Sequence, residues 1–482
     1  MEPVVVRRQS ICSTGPVHPE SRVAGRAEPL PATFVLPPDL VAASSMHGRL
    51  VLLALPQDEA AGQIHTELVA RPGVRSAASG SRLFAHGLDI PWHQFQRTSD
   101  VGLGPLVSSR EFLGALRALA DDLLSTAAGG EVLLDWSPEH ATVASVRAAV
   151  SVFPDATIIV RPELAAELPA DTRHSVTVVA GGAPPPPLPE ARPVEPATPR
   201  RDVQASSSMT DRLVVIVGCG RSGTTWLEQL FLAHRRIGGV ARSESWVFQQ
   251  LHWLWANYTS GSGLADLVDR PTLIAALRRY CDTLFAAALA RHSPEADYFV
   301  EKSPVHSHRL PEIAAVYPDA WVVHLLRDGR DVARSIAQVP FFGRPDPGDA
   351  AELWQEVVTT IRHDGKQTPR FRELRYESLH DDPVAHMTAA LRWVGLDVDG
   401  NDVAAIEAAA GERVSEHAGT AAQVGAGSWK GLPASDVARI HRRAATQLIA
   451  TGYARRLDIW RAMARAPLSS RHVHAMGHER HP

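Results

Sequence analysis

Two clusters of residue types in this chain could hold a polyanion. The first is Gly218-Cys219-Gly220-Arg221-Ser222-Gly223-Thr224-Thr225. Its glycines let successive backbone N–H groups turn inward, Ser222, Thr224 and Thr225 add hydroxyls, and Arg221 adds one guanidinium. The second is Arg327-Asp328-Gly329-Arg330-Asp331, led by Arg327; the arginine fork matches phosphate oxygens. Each has a plain alternative: a Gly-rich turn without a ligand, or an arginine in a surface ion pair with Asp328 or Asp331. The first cluster differs from an ATP-type phosphate loop, which needs Lys after its second Gly and a Ser/Thr for Mg²⁺. Thr224 stands at the Lys position, and the cation has moved to Arg221. A third set, Glu244, Lys302, His306 and His308, could move protons or balance charge.

The elements that must position these residues are legible. Leu213 to Val217 is an apolar, β-branched run that predicts a buried strand of a parallel sheet, and Trp226 to Leu232 resumes with helical periodicity. Trp321 to Leu326 predicts a second such strand, ending at Arg327 and followed by a helical run from Val332 to Ile336. Ligands of open parallel sheets sit at the carboxyl ends of strands, which puts both clusters at one edge. The apolar run from Tyr298 ends in Glu301-Lys302-Ser303-Pro304. Two further segments are Leu374-Arg375-Tyr376-Glu377-Ser378-Leu379 before Asp382-Pro383, and Gly427-Ser428-Trp429-Lys430.

In chain order, from about residue 209 to 465, the five segments resemble the sulfotransferases that use 3′-phosphoadenosine 5′-phosphosulfate (PAPS). The resemblance implies an α/β fold, a three-layer P-loop-type parallel sheet flanked by helices. It also implies transfer of a sulfuryl group from PAPS to a hydroxyl or amine, leaving adenosine 3′,5′-bisphosphate, with no metal required. By that resemblance Gly220, Arg221, Ser222, Gly223, Thr224 and Thr225 hold the 5′-phosphosulfate, and Arg327 and Ser335 the 3′-phosphate. Tyr376 falls in the family's RYE-x-L…DP strand and turn; Trp429 and Lys430 fall in a G-x-W-K element that closes over the nucleotide. Many members have Lys where this chain has Arg221. Arg221 is expected on the leaving oxygen, with Lys302 as a second cation. Glu244 stands where tyrosylprotein-type members carry a catalytic Glu, and is expected as the base. An exposed loop glutamate is its plain alternative, and His306 and His308 are its rivals because imidazole titrates near neutrality. A P-loop kinase or NTPase and a non-catalytic nucleotide-binding scaffold are the competing functions.

The 482 residues, 45% apolar, suffice for two domains with sizeable cores. A net charge of −4 gives no reason to expect nucleic acid or an anionic membrane as partner. Three scattered cysteines, no signal-peptide pattern and no span-length apolar run predict a soluble, cytoplasmic protein without disulfides. The acceptor, whether small molecule, carbohydrate or peptide, is not specified.

Composition divides the chain into a disordered arm (1–45), an N-terminal domain (46–180), a Pro-rich linker (181–208), the sulfotransferase-like domain (209–465) and a His-rich tail (466–482). The tail's His472, His474, His478 and His481 read as unstructured rather than as a metal site. The N-terminal domain reads as a worn copy of the second. Ser44 to Val51 parallels Ser207 to Val214, Leu113 to Arg117 parallels Ile274 to Arg278, Leu134 to Pro138 parallels Val300 to Pro304, and Phe153 to Val160 parallels Tyr317 to His324. Two unrelated α/β domains are the alternative. Its counterpart of the Gly-rich loop, Leu55 to Ala61, carries Asp58 and Glu59, which would repel phosphate. Trp136 matches Lys302, and Glu163 falls opposite Arg327. The expectation is a non-catalytic domain that docks on the catalytic one.

Overall fold

The computed structural model describes residues 46, 48–76, 83, 106–129, 131–137, 140–180, 183–188, 209–240, 244–259, 263–411 and 426–465. The expected arm, the linker from 189 onward and the His-rich tail lie outside the described residues.

Two five-stranded parallel sheets carry the molecule. The first contains β1 (Leu50–Ala54), β2 (Val74–Ser76), β3 (Val132–Trp136), β4 (Thr157–Val160) and β5 (Val176–Val178) in the order β2-β3-β1-β4-β5. The second contains β6 (Leu213–Val217), β7 (Ile237–Gly238), β8 (Tyr298–Lys302), β9 (Trp321–Leu326) and β10 (Phe371–Arg375) in the order β10-β9-β6-β8-β7. Read from the opposite edge, the second order repeats the first strand for strand. The registers correspond too. Leu52 lies opposite Asp135 as Val215 lies opposite Glu301, and Val51 faces Thr157 as Val214 faces Trp321.

The helices used below are α1 (Glu59–Val69), α2 (Ser109–Ala128), α3 (Val143–Val152), α4 (Thr224–Leu232), α5 (Val247–Thr259), α6 (Arg270–His292) and α7 (Gly329–Ala337). Helix α2 opens on a Ser108/Glu111 capping box and stops at Gly129, whose φ of 56° is left-handed. Helix α6 opens on Asp269, which accepts from the Thr272 N–H, with Pro271 in the first turn.

Strand alternation divides the core. Leu50, Leu52 and Ala54 of β1 and Leu213, Val215 and Val217 of β6 belong to one continuous apolar core. Their alternating neighbours face away from it: Val51 and Leu53 line a second core, Val214 and Ile216 a third. Helices α2 and α6 pack against each other and supply Leu116, Ala120, Leu123, Leu273, Leu277 and Leu284 to the shared core. The ion pairs along this contact, Arg279 with Asp122 at 2.8 Å and Arg291 with Glu111 at 3.6 Å, involve exposed arginines. Such pairs contribute little, so the apolar burial holds the helices together.

Corresponding arginines also do the same work in each half. Arg117 on α2 donates to the Val152 carbonyl at 2.5 Å, at the end of α3. Arg278 on α6 donates to the Val316 carbonyl at 2.6 Å. Among the described residues no helix is long and apolar enough to cross a membrane.

Candidate active site

Strand β6 delivers the chain into the Gly-rich loop beneath the carboxyl ends of β8 and β9. A Cβ at Gly218 would lie 2.9 Å from the Leu325 carbonyl oxygen, so the loop hugs β9 too closely for a side chain. Gly223 has a φ of 99°, and a Cβ there would meet the Tyr376 ring at 2.9 Å. It is the N-cap of α4 and has no side chain to satisfy the first N–H groups of that helix. The helix therefore opens with its amides and its positive dipole end uncompensated by a cap. Ser222, Thr224 and Thr225 are all buried around this opening, and Gly220 lies against the Phe342 ring. The Cys219 thiol is buried, which pushes its pKa up to about 12 and leaves it a compact, uncharged filler of the loop.

Arg221 holds a φ of 72°, a left-handed conformation that costs a non-glycine residue energy and marks a constrained loop. Its Nε donates to Ser335 Oγ on α7 at 3.1 Å. Arg327, just past β9, donates from Nη1 to the Arg221 carbonyl at 3.3 Å and stacks over Tyr376 at 4.3 Å from the ring centre. Arg221, Arg327 and Ser335 thus form one group. The guanidinium expected on the leaving oxygen is turned toward the residues expected on the 3′-phosphate.

The acids near Arg327 are engaged elsewhere. Asp328 pairs with Arg330 at 2.6 Å; burial pushes the Asp328 carboxyl up against the pull of that arginine. Asp331 accepts from the Gly427 and Trp429 N–H groups and from Ser428 Oγ, at 2.7, 2.8 and 2.8 Å. It pins the short 3₁₀ segment Ser428–Gly431, whose Trp429 stacks on Arg330 at 3.7 Å while Lys430 is exposed. Glu377 accepts from the Asp328 N–H at 2.9 Å and from the Tyr453 hydroxyl at 2.6 Å, tying the end of β9 to the C-terminal helices. The expected strand and turn around Tyr376 is a strand followed by a helix, Tyr376–Asp381, with Asp382 capping the next one.

On the other side of the loop, β8 ends in Lys302, which is 2% exposed. Its Nζ lies 3.4 Å from Glu244 Oε1, and the Trp246 indole N–H donates to Glu244 Oε2 at 3.1 Å. Glu244 is part-exposed, so both carboxylate oxygens are oriented while an edge stays open to solvent. His306 differs. In the 3₁₀ segment Pro304–His308 it is fully buried, edge-on to Phe248 at 5.1 Å, and burial lowers its pKa to about 3. His308 is half-buried and also shifted down by burial.

The sequence did not single out two features. Trp226, at the start of α4, forms an aromatic group with Tyr376 and His380 at 5.6 and 6.4 Å beside the loop. Its position directly after Thr225 was the available signal. The second is the corner at Trp246, whose φ of 56° is left-handed; nothing in its local sequence announces that.

The first sheet meets the same place differently. Helix α1 is capped by Asp58, whose Oδ1 accepts from the Ala61 N–H at 2.7 Å and from Arg161 Nη2 at 3.0 Å. Trp136 donates to the Leu55 carbonyl at 3.3 Å, and Glu163 lies in the first turn of a helix after β4. The sequence treated Asp58 as a repelling charge; in the fold it is an anion already seated at the helix opening. Among the described residues no group of three or more His, Cys, Asp or Glu is arranged to hold a metal ion.

The sulfotransferase family model matches residues 214–400, from β6 to the first residue of the helix Gly400–Gly411. No curated protein matches the chain. Among solved structures, a Mycobacterium avium sulfotransferase overlaps 82% of this chain and 97% of its own, at 13% identity and a TM-score of 0.36. The sulfotransferase domain of a Synechococcus olefin synthase overlaps 49% of this chain and 94% of its own, at 18% identity and a TM-score of 0.33. A retinol dehydratase solved with androsterone and the inactive cofactor PAP overlaps 49% and 81%, at 15% identity and a TM-score of 0.27.

Proposed function

We propose that this chain, whose residues 214–400 form a sulfotransferase-family domain, transfers a sulfuryl group from PAPS to a hydroxyl or amine of an acceptor. One observation carries the choice of donor: β6, which leads into the uncapped α4, lies in the sheet between β9, followed by Arg327 and the Arg221–Ser335 bond, and β8, ending in Lys302 beside Glu244. Two cation-bearing groups flanking one anion cradle suit a donor with phosphates at both ends of its nucleoside. The donor would supply the sulfuryl group on its 5′-phosphate.

The protein's own residues would then do three things. The loop amides with Ser222, Thr224 and Thr225 bind the 5′-phosphate end, and Arg327 with Ser335 binds the 3′-phosphate. Lys302 stands by the expected leaving oxygen, with Arg221 reaching it only by releasing Ser335. Glu244 takes the acceptor proton; it is oriented by two donors and accessible, whereas His306 is sealed in an apolar setting. The faces of Trp226 and Tyr376 offer a surface on which a purine could stack.

Residues 46–180 support a second part of the reading. Equal strand order, equal register and the paired α2 and α6 favour a worn copy whose cradle is filled by Asp58. We read it as a non-catalytic domain docked on its sibling. Cys219 and Cys281 are free and buried, which suits a reducing, cytoplasmic setting.

The reading is tested by incubating the protein with PAPS and a metabolite extract in excess chelator. Mass spectrometry should find a sulfated product together with adenosine 3′,5′-bisphosphate. Turnover of ATP that needs Mg²⁺, with none of PAPS, would establish the kinase alternative instead.

A further inference from the structure

A buried carboxylate next to the site has no part in the chemistry above. Glu301, the penultimate residue of β8, is 3% exposed. Its Oε1 accepts from Ser245 Oγ at 2.7 Å and from Ser303 Oγ at 3.0 Å, and His306 Nδ1 lies 3.5 Å away. Both serines pass the constraint on. Ser245 Oγ accepts from the Val247 N–H at 3.1 Å, fixing the start of α5, and Ser303 Oγ accepts from the Trp246 N–H at 3.4 Å. Between these anchors Trp246 is held at a φ of 56°. A bulky residue stays in that region only where its surroundings over-determine it, and such strain clusters at functional sites. What the strained turn achieves is visible: it brings the indole N–H back onto Glu244 two residues earlier, at 3.1 Å.

We infer that Glu301 is a positioning residue: through Ser245 and Ser303 it holds the Glu244–Trp246 turn so that the Glu244 carboxylate faces the acceptor with its lone pairs aimed. The inference rests on the proposed role of Glu244. The first sheet carries the same strand-end pair. It keeps a buried acid and serine at the matching places, Asp135 and Ser137. The acid and serine at the strand end are thus a framework common to both sheets, which in the second Ser245 extends to the turn at Glu244.

The test uses full-length protein and compares Glu301→Gln, Glu301→Met and Ser245→Ala with Glu244→Gln. Gln keeps an oxygen that can accept from both serines, so Glu301→Gln should retain most of kcat. Glu301→Met and Ser245→Ala should each lower kcat by roughly 10- to 100-fold, the scale of a catalytic group displaced by about 1 Å. The PAPS KM should stay within about twofold. In the Glu244→Gln background, adding Glu301→Met should change kcat no further, because the group it positions is gone.

Equal additional loss in that background would overturn the inference, as would unchanged kcat in both Glu301→Met and Ser245→Ala. A loss of kcat matched by loss of donor affinity would also overturn it, by making Glu301 structural. If Glu301→Met does not fold, Ser245→Ala, which deletes one hydroxyl, gives the answer alone. Failure of the base assignment shows separately, as undiminished kcat in Glu244→Gln itself.

Discussion

After β1 the chain enters a helix through Asp58; after β6 it enters one through Gly223. The two places share a sheet order and a register, and each helix presents its positive end to the carboxyl edge of its sheet. In the first, the chain's own carboxylate sits on the helix amides and Arg161 neutralises it. In the second, no side chain caps the helix, the N-cap is a glycine at φ 99°, and three buried hydroxyls surround the opening. A cradle for anions is thus a common property of the architecture. What separates a ligand site from a finished piece of structure is whether the chain fills that cradle itself.

The contrast can be broken most severely at the open helix. Glu244→Gln should lower kcat by about 10²–10⁴-fold, the usual range for a lost general base, with PAPS affinity unchanged by calorimetry. Arg221→Ala should cost about 2–4 kcal/mol of transition-state stabilisation, read from kcat/KM, since it removes the cation inside the loop. Near-normal turnover would mean that its bond to Ser335 is its whole role. Arg327→Ala should act on binding, raising the donor KM roughly 10- to 100-fold through loss of about 1.5–3 kcal/mol of charge-assisted hydrogen bonding. If kcat falls and KM does not, the arginine belongs to the reacting end instead.

The filled helix should answer far more weakly. Asp58→Ala removes a cap and its partner for Arg161, so the melting temperature should fall by a few degrees at most, with turnover unchanged. Bisphosphate-adenosine should still bind with a stoichiometry of one per chain; a second equivalent would show that only the carboxylate kept the first cradle shut.

The smallest effect concerns pH. Burial raises the Glu301 pKa from 4.5 to about 7, so folding retains a proton on it that the unfolded chain loses. Its contribution to stability is therefore present below about pH 4.5 and lost as pH rises toward 7. Glu301→Gln mimics the protonated form at every pH. The difference in melting temperature, variant minus parent, should increase from pH 4.5 to 7.5; a flat difference would mean that the carboxylate is not desolvated as described.

Much of this was legible locally. The strands at Leu213, Tyr298 and Trp321 are short, mainly apolar runs ending in glycine or charge, and the Gly-rich loop announces itself by composition. Arg327 and Ser335 were paired through the family resemblance, and the helix α7 does bring Ser335 to the loop. What escaped the sequence depends on partners far along the chain. Asp58 reads as a repelling charge until Arg161, 103 residues away, is seen beside it. Arg221 was assigned to the leaving oxygen because nothing nearby shows that Ser335, 114 residues on, would hold it. His306 looked like a usable base because burial among Phe248 and its neighbours cannot be read from its flanks. The segment at Tyr376 read as a strand and turn; the strand Phe371–Arg375 is there, but a short helix, Tyr376–Asp381, stands where the turn was expected, with Glu377 bonded to the Asp328 N–H and the Tyr453 hydroxyl.

The helices α2 and α6 close one apolar core between two sheets of the same polypeptide. Two separate subunits meeting through such a face would part as they were diluted. Here the encounter is intramolecular, set by the span of residues 181–208 rather than by how much protein is in solution. Specific activity should therefore be indifferent to enzyme concentration down to the lowest levels an assay can follow.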